Sequence, residues 1–398
     1  MEAPQCILIL DFGGQYTQLI ARRVRERGVY SCVLPCSAQL ADIRAVQPMG
    51  IIFSGGPASV LDEGAPQVDE GVFDLGVPVL GICYGMQYIA KAFDGRIEAA
   101  PVREYGRTPI RMTEHPLLKG LDSGIVWMNH NDSVFGMPEG FSAIAETDNC
   151  PFAAFADDAR KLYGIQFHAE VAHTPKGELI FHNFLKNICG CSCTYSPAGL
   201  ADTLIAQIRA QVGEGRVLGA LSGGVDSSVA SVLVHNAIGD RLTCIFVDHG
   251  LLRHKEAEEV ISFYRDKLNL NIIKIDARER FLGKLAGVTE PEQKRKIIGA
   301  EFVHVFEEEA KKLGGADWLL QGTIYPDVVE SGLGGKSAVI KSHHNVGGLP
   351  DYVDFKEIIE PLRLLFKDEV RQLGRELGLP EYLVSRQPFP GPGLAIRI

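Results

Sequence analysis

The sequence predicts an α/β protein made of two doubly wound domains, each with a mainly parallel sheet. Short apolar runs rich in β-branched residues alternate with longer amphipathic segments, as in sheets with crossover helices. This series stops near the middle of the chain and then starts again, and each series has a glycine-rich turn directly after an apolar run. A chain of 398 residues is also long enough for two to three cores.

The first series alternates predicted strands and helices as a parallel sheet requires. Turn residues bound each short apolar run, which favours strands, and the longer segments have apolar residues at helical spacing. The predicted strands cover residues 7–10, 50–53 and 78–82, and the predicted helices cover residues 15–27, 86–93 and 177–188.

The second series follows a segment whose composition is typical of a linker. Residues 189–196 are rich in Cys, Ser, Gly and Thr, and Pro197 precedes a new amphipathic stretch. We therefore predict a first domain over residues 1–190, a linker over 191–200 and a second domain over 201–398. In the second series, strands are predicted over 217–221, 242–247 and 271–275, with helices over 200–211 and from about residues 227, 255 and 292.

The charge balance excludes some partners. The chain has 50 acidic and 40 basic residues, a net charge of −10, which argues against a broad basic surface for nucleic acid or an anionic membrane. No apolar run approaches the roughly 18 residues of a membrane-spanning helix, and the first residues lack a basic region followed by an apolar core. We therefore expect a cytoplasmic protein that binds neither nucleic acid nor membrane.

The nine cysteines do not form the pattern of a disulfide framework in a chain of this length. Three of them, Cys189, Cys191 and Cys193, follow a C-x-C-x-C spacing, which differs from the paired C-x2-C spacing of zinc ribbons. We therefore favour small residues in a linker over a metal site at these positions.

A cysteine, a histidine and a carboxylate each stand at or near the end of a predicted strand. Cys83 lies in a G-x-C-x-G turn between a strand and a helix, which is the thiol counterpart of a nucleophile elbow. A helix N-terminus and a neighbouring base both favour the thiolate that such chemistry needs. In the apolar segment 164–170, His168 and Glu170 share one face if the backbone is extended, so that Glu170 can orient the base. The turn at 54–57 would offer N–H groups to an oxyanion.

Residues 5–190 resemble the class I glutamine amidotransferases through the motifs SGGP, GICYGMQ and GIQFHAE. The resemblance implies that three residues hydrolyse the side-chain amide of glutamine through a thioester and release ammonia: Cys83, His168 and Glu170. It further implies two oxyanion donors, Gly55 and Tyr84, and one residue that helps to hold glutamine, Gln87.

Two positions depart from the pattern of this family. Ala169 stands where the family usually has proline, and the run Asn129, His130, Asn131, Asp132 stands where related chains usually have Ser-His-Gly-Asp. Neither departure removes a catalytic group.

The second glycine-rich turn opens a predicted helix and has the sequence SGGVDSS. Its glycines allow backbone N–H groups to approach an anion at the helix N-terminus, and the lysine of a γ-phosphate-transferring P-loop is missing. The turn resembles that of the N-type ATP pyrophosphatases, which cleave ATP between the α and β phosphates to adenylate an acceptor oxygen. The resemblance implies contacts with ATP or pyrophosphate at Ser222, Gly223, Gly224, Val225, Asp226, Ser227, Ser228 and Val247.

Four further segments make essentially the whole chain resemble the glutamine-hydrolysing GMP synthetases. They are residues 290–299, 321–331, 341–350 and 388–394. The resemblance implies ATP-dependent amination of xanthosine monophosphate (XMP) to GMP, so that the small-molecule partners are glutamine, ATP and XMP. It implies Mg²⁺ as cofactor with Asp226 as its ligand, and XMP contacts at Arg295, Pro390 and Gly391.

This family is usually a homodimer through a C-terminal domain that follows the FPGPGLAIR segment. We expect this domain to be missing from a chain that ends at Ile398, and we expect such a chain to bind ATP but to turn over XMP poorly. One alternative is an NAD synthetase-like ligase, which would lack the motifs YPDVVES and KSHHNVGGLP that this chain has. A second alternative is a truncated or split-subunit form that hydrolyses glutamine and binds nucleotide but needs another chain for GMP synthesis.

Overall fold

The computed structural model describes residues 5–253, 255–330, 355 and 357–386. The chain divides into two units, Met1–Ser196 and Pro197–Ile398, and this division falls inside the predicted linker. Both units combine a sheet with helices, so the predicted α/β class is confirmed. Among the described residues, no helix has the length and apolar character needed to cross a bilayer.

The first unit contains one sheet of nine strands. They are β1 (Cys6–Asp11), β2 (Tyr30–Pro35), β3 (Gly50–Phe53), β4 (Val79–Ile82), β5 (Arg96–Met112), β6 (Gly124–Gly136), β7 (Ser142–Glu146), β8 (Ala154–Asp157) and β9 (Leu162–Ile165). Their order is β2-β1-β3-β4-β9-β8-β7-β5-β6. The strands from β2 to β9 in this order pair in parallel, and those from β9 to β6 pair antiparallel.

Helices cover the parallel half of this sheet. They are α1 (Thr17–Glu26), α2 (Leu40–Val46), α3 (Tyr84–Ala92) and α4 (Glu178–His182), and α4 continues as a π-helical segment, Asn183–Ile188. The strands β3 and β4 are buried along their whole length, which explains their uninterrupted apolar sequences. Because the parallel strands β1, β3, β4 and β9 run in one direction, the loops at their carboxyl ends meet at one edge of the sheet.

The antiparallel half of the first sheet differs from the predicted, mainly parallel pattern. The long strands β5 and β6 form most of this half, and burial along both alternates with exposure. Polar residues on an exposed face interrupt the apolar runs that identify buried strands. The sequence pattern therefore gives no clear signal for these two strands.

The second unit contains a fully parallel sheet of five strands. They are β10 (Val217–Ala220), β11 (Leu242–Asp248), β12 (Ile272–Asp276), β13 (Trp318–Leu320) and β14 (Glu357–Ile359). The order is β12-β11-β10-β13-β14, so the chain moves outward from β10 first in one direction and then in the other. In doubly wound sheets, ligands bind at the carboxyl edge beside such a switch point.

Eight helices accompany this sheet in the described part of the second unit. They are α5 (Leu200–Val212), α6 (Val225–Ile238), α7 (Glu256–Ser262), α8 (Arg278–Leu285), α9 (Pro291–Lys312), α10 (Tyr325–Glu330), α11 (Lys367–Glu376) and α12 (Glu381–Val384). The helix α6 follows β10 directly and has ten buried residues. The segment SGGVDSS therefore lies at the carboxyl end of β10, beside the switch point.

Candidate active sites

Cys83 is the single residue between β4 and α3. Its backbone has φ +54° and ψ −108°, a conformation that is rare outside glycine. The two flanking glycines permit this turn because they pack directly on backbone: a Cβ at Gly81 would lie 2.5 Å from the Gly85 carbonyl carbon, and a Cβ at Gly85 would lie 2.5 Å from the Phe53 oxygen. The G-x-C-x-G motif thus forms the predicted nucleophile elbow.

His168 and Glu170 form a buried pair in the first unit. His168 Nδ1 lies 2.7 Å from Glu170 Oε1, and the two residues are 4% and 1% exposed. The pair does not lie on an extended strand as the sequence suggests, because β9 ends at Ile165. A bend after the strand brings the imidazole and the carboxylate together instead.

Two side chains, one distant in sequence and one nearby, hold this bend. Arg23 Nε donates to the Glu170 carbonyl at 2.9 Å, and Thr174 Oγ1 donates to the His168 carbonyl at 2.6 Å. Gly177 packs against the carbonyl of Ala169, where a Cβ would lie 2.2 Å from the oxygen. These contacts fix the backbone around Ala169.

The environment of His168 increases its basicity. Burial lowers the pKa of His168, but hydrogen bonding and charge from Cys83 and Glu170 raise it by more, so that the net pKa is about 10. Among the described residues, Nε2 has no partner with full hydrogen-bond geometry, although the thiol is near enough to affect the pKa. Since Nδ1 is occupied by Glu170, Nε2 is the nitrogen available to exchange a proton with Cys83.

A cleft of about 570 Å³, including its open mouth, lies over this thiol. It is lined by Gly13, Gly14, Gln15, Tyr16, Gly55, Gly56, Pro57, Cys83, Asn129 and His168. The Tyr16 ring packs edge-on against the His168 ring, with 5.2 Å between centroids. Sequence reasoning missed the Gly13–Tyr16 loop, although its place after β1 puts it at the same sheet edge as Cys83.

The two predicted oxyanion donors lie beside Cys83. Tyr84 begins α3, so its N–H has no acceptor within the helix. Gly55 borders both catalytic side chains, because a Cβ there would lie 3.6 Å from Cys83 Cβ and 3.4 Å from His168 Cε1. The donor role of both residues stays a prediction, and this geometry is compatible with it.

Gln87 does not line the cleft. Its Nε2 donates to the Asp132 carbonyl at 2.8 Å and to Gln166 Oε1 at 3.2 Å, and the residue is buried. The first bond ties α3 to β6, whose Asn129 carbonyl lies 3.7 Å from Cys83 Sγ, and the second bond ties α3 to the residue after β9. The predicted contact between Gln87 and glutamine therefore stays untested, and the side chain has a supporting position in this structure.

A buried polar cluster lies on β5, β6 and the turn between β7 and β8. Glu104, His130 and Cys150 are the one group of three potential metal ligands that lies together in the described part of the chain. Two of the three side chains are already paired: Glu104 accepts from Thr147 Oγ1 at 2.7 Å and contacts His130 Nε2 at 3.2 Å. We assign this cluster a structural role, in which it stabilises the pairing of β5 with β6. The C-x-C-x-C cysteines, which the structure describes in full, form no such group.

We expect Glu170→Gln to lower the rate of glutamine hydrolysis by about 10²–10⁴-fold, because the amide no longer stabilises the imidazolium. Loss of the carboxylate lowers the pKa of His168 from about 10. The imidazolium must protonate the leaving ammonia, and it loses its proton above its pKa, so the alkaline limit of activity should move to lower pH. Glutamate release measured from neutral to strongly alkaline pH checks this result.

Glu98→Gln is the matched control for that substitution. Glu98 is exposed and, in the described contacts, pairs only with Arg96. We expect the wild-type pH profile for the control. An alkaline limit of Glu170→Gln equal to that of the wild type would refute the assigned role.

The phosphate loop of the second unit connects β10 to α6. Gly223 has φ +73°, and Gly224 is the N-cap of α6, where no cap side chain accepts from a backbone N–H of the first turn. Uncapped N–H groups at a helix start attract anions. Ser222 and Ser227 hydroxyl oxygens lie 2.9 Å apart, and Gly224 N donates weakly to Ser222 Oγ at 3.3 Å. The loop therefore presents donors that an anion could engage.

Lys367 is paired with Asp226 at this loop. Its Nζ lies 2.6 Å and 2.5 Å from the two carboxylate oxygens of Asp226, although the residues are 141 apart in sequence. Lys367 starts α11, and no local pattern distinguishes it from an exposed lysine. Gly322 packs on the same helix start, where a Cβ would lie 3.2 Å from Ser227 N. The predicted segment 321–331 thus begins at the phosphate loop.

The structure describes two of the other predicted nucleotide contacts, and two lie outside the described residues. Val247 is buried in β11. It lies two residues after Ile245, which pairs with Ala220 at the end of β10. Arg295 lies on α9, where it pairs with Glu292 at 3.0 Å. Pro390 and Gly391 lie outside the described residues, as do the segments 341–350 and 388–394. The XMP contacts stay predictions.

We expect Gly223→Ala to weaken ATP use by about tenfold or more. A side chain at φ +73° costs about 1–2 kcal/mol, and its Cβ would lie 3.1 Å from Val260 Cγ2, so the loop must shift. The KM for ATP checks this result. Gly314→Ala is the control, because Gly314 has φ +77° with no atom within 4 Å of a Cβ. Equal increases in the KM for ATP in both variants would contradict a local role of Gly223 in ATP binding.

Known proteins resemble this chain over nearly its whole length. The family "Glutamine amidotransferase class-I" matches residues 8–188. The "GMP synthase [glutamine-hydrolyzing]" of Acetivibrio thermocellus is 59% identical over 396 residues, which cover 99% of this chain and 77% of that protein. The protein of the same name from Caldicellulosiruptor saccharolyticus is also 59% identical, with the same coverage.

A solved structure from Thermoplasma acidophilum, provisionally assigned as one subunit of a GMP synthase, covers 48% of this chain and 96% of its own. Its sequence identity is 33% and its TM-score is 0.44. The identity and coverage of the two bacterial relatives are decisive: this chain belongs to the family of glutamine-hydrolysing GMP synthases.

Proposed function

We propose that the chain aminates XMP to GMP, with glutamine as the nitrogen donor and ATP as the source of energy. The observation that carries this proposal is the 59% identity over 396 residues to a protein named for glutamine-hydrolysing GMP synthesis. The thiol site of the first unit and the phosphate loop of the second unit supply the two chemistries that this reaction needs. The chain is thus a carbon–nitrogen ligase.

The first half-reaction releases ammonia from glutamine. Cys83 Sγ, whose proton is already held by His168 Nε2 because the pKa of His168 is about 10, attacks the side-chain carbonyl carbon of glutamine. The oxygen that becomes negative is stabilised by the N–H groups of Gly55 and Tyr84. His168 then gives the proton to the departing nitrogen, which leaves a thioester on Cys83. Water, activated by His168, hydrolyses the thioester to glutamate, and Glu170 keeps Nε2 aimed at the reacting atoms.

The second half-reaction uses ATP to activate the purine. The phosphates lie against the N-terminus of α6, where uncapped N–H groups bind their oxygens. The 2-oxo oxygen of XMP attacks the α-phosphorus, and pyrophosphate leaves into the loop that begins at Ser222. Ammonia then attacks C2 of the purine and displaces AMP. Activation is required because an oxo group is a poor leaving group.

Asp226 is suited to hold Mg²⁺ in this site. Its carboxylate stands in the first turn of α6 and is 28% exposed, and Mg²⁺ prefers a few carboxylate oxygens together with phosphate oxygens and water. When bound, the ion neutralises charge on the phosphates. Lys367, which balances Asp226 in the described structure, can then neutralise a phosphate oxygen itself.

Product analysis tests the proposal. The chain is incubated with glutamine, ATP, MgCl₂ and XMP, and we expect glutamate, AMP, pyrophosphate and GMP in equal amounts. A second reaction replaces glutamine with ammonium chloride and should give GMP without glutamate. Glutamate without any GMP in the first reaction, together with no GMP in the second, would contradict the proposed synthesis. A cytoplasmic location remains a prediction from the sequence.

A further inference from the structure

Arg386 reaches the phosphate loop from a distant part of the chain. It follows α12 closely, yet its Nη1 donates to the Gly223 carbonyl at 3.0 Å, across 163 residues. Its side chain is only 18% exposed, and Nη2 pairs with the carboxylate of Glu256. The sequence motifs of the chain give Arg386 no role, so the contact emerges only from the fold.

Glu256 anchors this guanidinium. One carboxylate oxygen of Glu256 binds Arg386, and the other accepts from the backbone N–H of Arg253 at 2.8 Å. Glu256 is itself buried, so water competes little for the pair. A planar guanidinium can bind two acceptors in fixed directions, which an ammonium cannot do with the same rigidity. Arg386 is therefore held at one end while it binds the loop at the other.

The carbonyl of Gly223 controls the direction of a neighbouring donor. In a trans peptide, the C=O of one residue and the N–H of the next point in opposite directions. Since Arg386 binds the Gly223 oxygen, the N–H of Gly224 points away from Arg386, and it lies 3.3 Å from Ser222 Oγ. With glycine on both sides, this peptide has no side chain to prevent its rotation. The shorter of the two contacts that fix this peptide is the bond from Arg386 to the Gly223 oxygen, at 3.0 Å against 3.3 Å for the bond from the Gly224 N–H to Ser222 Oγ.

We propose that Arg386 is a positioning residue of the ATP site: it holds the Gly223–Gly224 peptide so that the Gly224 N–H faces the phosphates. This inference rests on the proposed function, because it assigns the loop to ATP and pyrophosphate. Donors aimed in advance at an anion need no reorganisation when the reaction occurs. A free peptide would lose this alignment, and misplacement by about 1 Å can reduce a rate by about 10²-fold.

Kinetics of three variants test the proposal in the full chain, with ammonium chloride as nitrogen donor so that Cys83 takes no part. We expect Arg386→Ala to lower kcat/KM for ATP by about 10- to 100-fold. We expect Arg386→Lys to remain close to the alanine variant, because lysine keeps the charge but not the two-ended bond. Glu256→Gln should reduce kcat/KM in the same direction by a smaller factor.

Arg375→Ala is the matched control. Arg375 pairs with Glu381 at 2.9 Å on the exposed surface near α12 and does not touch the loop in the described contacts. We expect wild-type kinetics for this variant, and thermal unfolding should show that all variants remain folded. A wild-type kcat/KM in Arg386→Lys would show that the positive charge alone is needed, which would overturn the positioning role. An unchanged kcat/KM in Arg386→Ala would also overturn the proposal.

A binding measurement separates this inference from the proposed function. Calorimetry with pyrophosphate and MgCl₂ does not require turnover, and we expect an affinity for Arg386→Ala about tenfold or more below that of the wild type. If the wild type binds pyrophosphate but makes no GMP, the proposed synthesis fails while the role of Arg386 is still measured. If wild type and Arg386→Ala bind pyrophosphate equally, or neither binds it, the inference fails.

Discussion

Replacing Cys83 with alanine should abolish glutamate release from glutamine while GMP synthesis from ammonium chloride continues at the wild-type rate. The thiol forms the covalent bond of the glutamine half-reaction, and neither Nε2 of His168 nor water can replace it as the first nucleophile. Removal of a catalytic nucleophile commonly lowers turnover by about 10⁶-fold. Paired assays with glutamine and with ammonium chloride measure the two rates on one preparation.

Cys193→Ser is the control for this substitution, because Cys193 is a partly exposed thiol that does not line the cleft. It should keep both activities. An equal loss of both activities in a folded Cys83→Ala protein would contradict the assignment of Cys83 to the amide step alone.

Replacing Asp226 with asparagine should lower ATP-dependent AMP release by about 10²-fold or more and leave glutamate release unchanged. The carboxylate is the residue that we propose for Mg²⁺, and its charge also balances Lys367, whose Nζ lies 2.6 Å from Oδ1. A neutral amide provides a much weaker ligand for a divalent cation. Dependence of AMP release on MgCl₂ concentration measures the loss, and a higher MgCl₂ requirement is the expected signature.

Asp240→Asn offers a comparison in the same unit, since Asp240 lies in the short turn after α6, at the end opposite the phosphate loop. It should have the MgCl₂ dependence of the wild type. An unchanged dependence in Asp226→Asn would remove Asp226 from the proposed metal ligands.

Local patterns made the elbow and the phosphate loop predictable. In both places a buried strand, a glycine turn and a helix follow one another within a few residues, so that a local pattern indicates the turn. Parallel pairing then places the loops of β1, β3 and β4 at one edge, so the cleft follows from the order of the strands. The elbow at Cys83 was therefore predictable from the sequence, whereas the Gly13–Tyr16 loop of the same cleft was missed.

The residues that hold the sites in place could not be predicted from local patterns. Arg23 binds the Glu170 carbonyl across 147 residues, Lys367 binds Asp226 across 141, and Arg386 binds Gly223 across 163. In the sequence each is an ordinary cation on or near a helix, which a solvated surface position explains equally well. Only the folded chain distinguishes a cation that supports a site from one that faces water.

The backbone conformation of Cys83 lowers the stability of the fold while it places the thiol for catalysis. At φ +54° a residue with a side chain costs about 1–3 kcal/mol that glycine would not cost, so Cys83→Gly should unfold at a higher temperature than the wild type. A population of this chain selected for thermal stability alone would therefore accumulate glycine at position 83 and lose the ability to use glutamine. The side chain at this strained position therefore serves the glutamine half-reaction and not the stability of the fold.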